Sequence, residues 1–558
     1  MSPDEAGKER GGISTVSIGS SARLPLVALA LFGVTVLALL PDLGGQYVWS
    51  KDEARDGLVA RDMVESGHWL IPHIGGRVYP YKPPLFHWLV ALISPGGVTE
   101  WSLRLPSVLA AGATVALTFT LGARLGTPAT GLVAAAILAS SPAFVEWART
   151  GRLEMLLVLW LTTAFWSASR WLAEGRRRHA LVLGLALGLG YLTKGPIGLA
   201  SAGVLLLAMA SLGHWSRRAL ADLGWALAFA LALPAAWLAL AAGVHAGVPS
   251  YLGAVVATFT DEMRVVRDRH VFYAAEAIGV GFLPWTLLLP GTLLVLLRRW
   301  RASWRPLALP LLWVGFFVVL FTAFISPREV YFLPVYPALA IVVAWAWSAC
   351  SASERRWISY PLALVLAGAV VVGLTLAVWP LEIGSPRRIT VLGRGVGVAM
   401  AAIAGAAGLT AIALARRGRA AALPVATGAG ALLLGVLLHV AVYTPGANRA
   451  FPTREAAARF AAKLPAGAQV VYLDLKLTTA LMFYLQHRPV ELRGIRGINA
   501  RGDHPQRYAL ILHDHLLWLI RKRCSPPPPL GEEIVFDSRY VLLDLNGTGL
   551  DCPWPPGG

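Results

Sequence analysis

Leu24-Pro-Leu-Val-Ala-Leu-Ala-Leu-Phe-Gly-Val-Thr-Val-Leu-Ala-Leu-Leu40 contains no charged residue, and Arg23 stands directly before it. A run of this length and composition fits a bilayer-crossing helix, because in lipid a helix satisfies its own backbone polar groups. Further apolar runs lie near 102–121, 129–146, 155–173, 180–193, 197–213, 219–242, 277–297, 306–325, 330–349, 359–379, 394–415 and 421–443, about thirteen in all. The pair between 180 and 213 is the least regular, with a short first member and Lys194 between the two. Of the 558 residues 56% are hydrophobic and 14% charged, against about a quarter charged in soluble proteins. Mean hydropathy is +0.60. The expected fold class is an α-helical polytopic membrane protein of about thirteen transmembrane helices with a C-terminal soluble α/β domain.

The net charge of +18 invites a nucleic-acid reading, which its distribution excludes. With the N-terminus inside, the cytoplasmic connections carry Arg124, Arg176-Arg177-Arg178, Arg217-Arg218, Arg298-Arg299 with Arg301 and Arg305, Arg355-Arg356, and Arg416-Arg417 with Arg419. Short basic loops of this kind set membrane orientation. Residues 1–23 then form a cytoplasmic tail, the first span an uncleaved signal anchor, and the C-terminus lies outside. This orientation puts the C-terminal domain on the outer side of the membrane. Cys350 falls at the inner end of a span, and Cys524 and Cys552 lie in the outward region, either as a disulfide or as two free thiols.

The transmembrane domain occupies 24–443, with outer loops at 41–101 and 243–276, and the tail 447–558 is of α/β character. In the first loop, 52–66 has helical periodicity with Ala54, Leu58, Val59 and Met63 on an apolar face, and Gly67 ends it. Residues 69–74 and 77–79 flank Gly75-Gly76 as a small hairpin, and 85–93 is apolar but too short to span. In the tail, 454–463 reads as an amphipathic helix and 468–473, 509–512 and 540–545 as strands.

No phosphate-binding loop, dinucleotide fingerprint or spaced Cys/His cluster is present. Outward polar clusters remain: Asp52, Glu53, Arg55 and Lys82; Glu146, Arg149, Arg152 and Glu154; Lys194; Asp261, Glu262, Arg264, Arg267, Arg269 and His270; and Arg328, Glu329, Tyr331 and Tyr336. If the spans bundle, these converge on one outer cavity. Arginine grips phosphate bidentately, lysine supplies a compact charge, and a carboxylate takes a proton from an attacking hydroxyl. Glycosyl transfer from a polyprenyl phosphate needs this combination.

Asp52-Glu-Ala-Arg55, Tyr81-Lys-Pro-Pro84, Arg104-Leu-Pro106, Gly151-Arg-Leu-Glu-Met-Leu156, Leu192-Thr-Lys-Gly-Pro196 and Tyr331-Phe-Leu-Pro334, in this order, resemble the ArnT/PMT-like GT-C glycosyltransferases that use dolichyl- or undecaprenyl-phosphate sugars. The resemblance covers roughly 24–443, and an outward tail suits its aminoarabinose-transferase branch. It implies an inverting transferase that passes a monosaccharide from a polyprenyl-phosphate donor to an envelope acceptor: lipid A or lipopolysaccharide, another glycan, or a protein hydroxyl. It also implies Asp52 as the essential acid, with Glu53 adjacent and Glu154 as the second acidic position. Arg55, Lys82, Lys194, Arg264, Arg267 and Tyr331 would hold the donor phosphate. Two positions depart from the family pattern: Glu154 stands where Asp is usual, and Tyr81 where the aminoarabinose transferases tend to have Glu.

Each residue also has a plain structural reading. Asp52 suits a helix N-terminus and pairs with Arg55 at i,i+3; Lys82 suits snorkelling; Glu154 suits pairing with Arg149 or Arg152; Lys194 is an ordinary loop charge. His68, His73 and His87 read as interfacial aromatics rather than metal ligands, and Tyr336 as a packing residue. The sequence marks no metal ligands and no cofactor motif, with the lipid-linked sugar as substrate, and leaves dependence on a divalent metal open. The alternative function is a transporter or flippase of a lipid-linked sugar, which would place ionisable groups near mid-membrane. The predicted span centres are almost free of them.

Overall fold

The computed structural model describes residues 23–75, 77–79, 81–244, 253, 272–324, 328–383, 390–473, 478–485, 490–492, 508–513, 517–518, 521, 529–535 and 538–544. Residues 1–22, nearly all of 245–271, and Cys524 and Cys552 lie outside them.

The helices near the site are α1 (Leu24–Leu39), α2 (Lys51–Ser66), α3 (Leu85–Leu92), α4 (Glu100–Leu125), α5 (Pro128–Ser140), α6 (Pro142–Ala148), α7 (Leu153–Glu174) and α8 (Arg177–Lys194). There follow α9 (Ser201–Leu212), α10 (Arg217–Val244), α11 (Tyr273–Gly281), α12 (Leu289–Arg298), α13 (Trp300–Val319), α14 (Val335–Ala349), α15 (Ala352–Val378), α16 (Arg394–Arg416) and α17 (Ala422–Leu438). By length and composition, seven of the described helices can cross a membrane, or up to nine if each of two bent pairs is one span, and three shorter apolar helices accompany them. This is a multi-pass membrane protein.

Apolar runs do not map one-to-one onto straight helices. The run at 129–146 is broken into α5 and α6, bent by 65°, where Pro142 withdraws a backbone donor after Ser141. The run at 277–297 bends by 110° between α11 and Trp285–Arg298, with Pro284 at the break. The run at 330–349 becomes helical only from Val335, after a 3-10 turn at Glu329–Phe332.

Helix α4 lies at the centre: 67% of its most apolar window is buried, against 17% for α16. It packs on α1, α5 and α7. Small residues permit close approach; a Cβ at Gly122 would stand 3.0 Å from Gly131 Cα of α5. Peripheral helices expose leucine outward, as at Leu364 (72%) and Leu409 (71%), a surface suited to lipid and costly in water.

The long loop between α1 and α4 folds as the sequence indicates. Ser50 caps α2, its hydroxyl accepting the Glu53 N–H at 3.2 Å, Asp52 and Glu53 occupy the first turn, and Gly67 ends it at φ 73°. The hairpin is short: β1 (His73–Ile74) pairs with β2 (Arg77–Val78), His73 opposite Val78. A second two-stranded pair, β3 (Leu381–Ile383) and β4 (Thr390–Leu392), follows α15.

Beyond α17 come α18 (Thr444–Ala450), α19 (Thr453–Lys463) and α20 (Thr478–Tyr484), with strands β5 (Gln469–Leu473), β6 (Val490–Leu492), β7 (Tyr508–His513), β8 (Pro529–Val535) and β9 (Ser538–Asp544). The sheet order is β6-β5-β7-β9-β8; β5 is parallel to both β6 and β7, while β9 is antiparallel to β7 and β8. This tail shares a hydrophobic core with the loop between α1 and α4, joining Leu58, Val59 and Met63 of α2 to Phe460, Leu481 and Met482. Burying each such side chain is worth about 1.5–3 kcal/mol.

Candidate functional site

Helix α2 brings two adjacent carboxylates to one end of the bundle, and the helical rotation turns them to different neighbours. Glu53, 3% exposed, faces inward. Arg104 of α4 donates to it through Nε at 2.8 Å and Nη2 at 3.3 Å, and the Gly151 N–H donates at 2.8 Å. Arg104 also donates to the carbonyls of Leu43 (2.9 Å) and Gln46 (2.7 Å). The whole arrangement is a buried, saturated brace between the loop, α4 and the turn before α7.

Asp52 faces the open side. Arg55 donates to Oδ1 at 2.7 Å, while Arg152 and Arg328 each approach Oδ2 at 3.3 Å. Burial raises the pKa of this carboxyl, but the guanidinium groups of Arg152, Arg55 and Arg328 outweigh it and hold it below the usual carboxylate value. Arg152 also donates to Glu154 at 3.0 Å. Lys194 at the end of α8 donates to the same oxygen, Glu154 Oε1, at 3.2 Å and sits 4.3 Å from the Tyr331 ring centroid. Lys82 is near enough for its charge to act on Glu154.

Asp52, Arg55, Lys82, Glu154, Lys194 and Tyr331 therefore converge, drawn from α2, the stretch before α3, α7, α8 and the turn before α14. Arg264 and Arg267 lie outside the described residues. Arg152 and Arg328, legible in sequence only as outward charges without a role, both approach the Asp52 carboxylate. Their signal was a basic residue at a helix start, which by itself does not give direction. Arg149 goes elsewhere, to the carbonyls of Pro41 (2.8 Å) and Leu39. His87 is a buried partner of Asp56, Nε2 to Oδ1 3.1 Å, rather than an interfacial aromatic. Tyr336 is a packing residue, 1% exposed and stacked on Phe282.

Two buried atoms here, Arg152 Nε and Glu154 Oε2, have no hydrogen-bond partner among the described residues. Buried polar groups are rarely left so. Among the described residues four cations, Arg55, Arg152, Arg328 and Lys194, share ion pairs with the two carboxylates of Asp52 and Glu154, so positive charge exceeds negative here. The site is fitted to an anion next to a carboxylate.

A family model described as dolichyl-phosphate-mannose-protein mannosyltransferase matches residues 81–238. The chain is 30% identical over 352 residues to the undecaprenyl phosphate-alpha-4-amino-4-deoxy-L-arabinose arabinosyl transferase 1 of Sodalis glossinidius, covering 60% of this chain and 61% of that one. It is 30% identical over 363 residues to an uncharacterized protein of Aquifex aeolicus, covering 62% of this chain and 68% of that one. The chain spans about three fifths of the length of the arabinosyl transferases it matches. Among solved structures, ArnT from Cupriavidus metallidurans bound to undecaprenyl phosphate superposes with a TM-score of 0.72 at 18% identity, over 94% of this chain and 98% of that one. At that identity the likeness speaks for the fold.

Proposed function

Because this chain belongs to the ArnT/PMT-like family of GT-C glycosyltransferases, we propose that it transfers a monosaccharide from a polyprenyl-phosphate donor to an envelope acceptor with inversion. The observation that carries this reading is Asp52, a carboxylate on the open side of the site with Arg55, Arg152 and Arg328 around it. The donor phosphate competes with Asp52 for these guanidinium groups. As they turn to phosphate, Asp52 regains basicity and accepts the proton of the acceptor hydroxyl or amine. The acceptor atom bonds to the sugar carbon, the bond from that carbon to phosphate oxygen breaks, and polyprenyl phosphate leaves with its negative charge. Arg55, Arg152, Arg328, Lys82 and Lys194 stabilise that charge, and Tyr331 shapes the site beneath Lys194. Arg264 and Arg267 remain candidate contributors from the second outer loop. Glu154 orients Arg152 and Lys194. Glu53 is a brace for the loop rather than a group that touches substrate, since Arg104 and Gly151 occupy its carboxylate.

The topology that fits this reading has the site and the α/β tail on the periplasmic face of a bacterial inner membrane, the N-terminus in the cytoplasm, and about thirteen crossings. Helix α7 runs from Glu154 at the site to Glu174 at the far end, where α8 begins among Arg176, Arg177 and Arg178. That basic far end agrees with a cytoplasmic surface.

The undecaprenyl-phosphate aminoarabinose named in the relatives is the first donor to test, beside hexose-linked polyprenyl phosphates. Protein reconstituted in liposomes with donor and lipid A, followed by mass spectrometry, should yield a new sugar–acceptor bond. Donor moved between leaflets with no such bond, from any of these sugars, overturns the reading in favour of a flippase.

A further inference from the structure

Away from the anion site, α2 carries a second group of chemistry-bearing residues at its other end. We propose that Asp62, His68 and His73 form a site for a first-row divalent cation of the zinc type, which clasps the end of α2 to the following hairpin. One ligand atom from each residue lies within 4.8 Å of the other two. His68 Nδ1 is 2.8 Å from Asp62 Oδ1, and the His68 and His73 rings lie 4.1 Å apart between centroids. His73 Nδ1 is 2.7 Å from the Ile71 carbonyl. A carbonyl only accepts, so Nδ1 carries the proton and Nε2 bears the lone pair. A backbone carbonyl holding the distal ring nitrogen in this way is how metal-binding histidines are oriented.

The surroundings suit a cation. The carbonyl end of α2, which stops at Ser66, contributes negative potential that adds to Asp62. The donor set, two imidazoles and one carboxylate, suits zinc and its first-row neighbours rather than magnesium or calcium, which prefer all-oxygen shells. Ligand atoms on a tetrahedral zinc stand about 3.3 Å apart, given bonds of about 2.0–2.1 Å, so small side-chain rotations close the cluster. The Asp62 side chain is 11% exposed and that of His68 44%, which leaves an entry path and room for water as the fourth ligand. The segment between the histidines is already fixed: the indoles of Trp88 and Trp237 donate to the carbonyls of Trp69 (2.6 Å) and Leu70 (2.8 Å). Only the joint to α2 gains from a metal.

Asp62 lies ten residues along α2 from Asp52, about 15 Å at a rise of 1.5 Å per residue. The cation therefore takes no part in transfer; it stiffens the strand that leads to Tyr79 and Lys82. The inference stands independently of the proposed reaction.

The test uses the full chain without a polyhistidine tag, purified in detergent, stripped with a chelator and titrated with Zn²⁺ by calorimetry. Co²⁺ absorption reports coordination. We expect one equivalent of Zn²⁺, a raised thermal midpoint, no displacement by Mg²⁺, and tetrahedral Co²⁺ bands. Asp62→Asn and His68→Ala should each weaken Zn²⁺ binding by more than about tenfold, since even outer-shell changes cost 10–100-fold. The His68 side chain is exposed at the surface, so His68→Ala should unfold with the stripped wild type and keep the test valid if Asp62→Asn folds poorly. Less than stoichiometric uptake by wild type, or uptake unchanged in His68→Ala, overturns the site.

Discussion

With Arg152, Arg55 and Arg328 around it, Asp52 stays a carboxylate in more acid solution than a free side chain does. Its folded pKa lies below the unfolded one, so these contacts stabilise the fold above the unfolded value, and that contribution is lost as pH falls through the folded value. The same sign governs catalysis. The acid limb of the rate profile attributable to Asp52 in the free protein should fall below the ordinary carboxylate range. In Arg152→Gln that limb should move up in pH and donor use should weaken; a profile of kcat/KM against pH checks both. An unmoved limb would mean that Arg152 does not tune the base. The resemblance singles out Asp52, but the bracing role of Glu53 is not legible from its letter, because neighbouring helical positions point about 100° apart. Which one is the brace depends on which face meets Arg104.

Elements set that face. Glu53 and Arg104 form a buried pair linking α2 to α4, and removing one partner of such a pair costs about 3–5 kcal/mol because the other charge is stranded. Arg104→Met should therefore lower the thermal midpoint in detergent, and Arg104→Met with Glu53→Leu should recover part of the loss. A double variant no better than the single would contradict this. Gly57 marks another close approach: a Cβ there would stand 2.6 Å from the Phe483 ring. Gly57→Val should separate α2 from α20, with increased proteolysis of the tail as the readout. The C-terminal end of α2 was legible from Gly67, which acts locally. The breaks at Pro142 and Pro284 were not, because lipid-embedded helices tolerate proline when neighbours satisfy the freed groups, and neighbours are a tertiary matter.

At the scale of the whole molecule, the loop between α1 and α4 and the tail pack as one unit. Arg61 of α2 donates to the carbonyls of Met482 (2.8 Å), Leu485 (3.0 Å) and Phe483 (3.1 Å) at the end of α20. The Tyr484 hydroxyl accepts from Val48 N at 2.7 Å and donates to Glu100 at 2.9 Å. Hydrogen bonds to a charged group are worth about 1.5–3 kcal/mol each, so Arg61→Ala should loosen the tail and expose it to protease while the spans stay intact. The membrane class and the tail's α/β character were legible in hydropathy and periodicity; the shared core was not, since its halves lie some 400 residues apart. The convergence of Arg152 and Arg328 on Asp52 is long-range in the same way. The direct test of the central claim compares wild type with Asp52→Asn, reconstituted with a donor that the wild type uses, measuring donor binding and sugar transfer together. We expect transfer to fall by about 100-fold or more, with donor binding kept or tightened because the carboxylate competing for the arginines is gone. Transfer at the wild-type rate by Asp52→Asn would contradict the account.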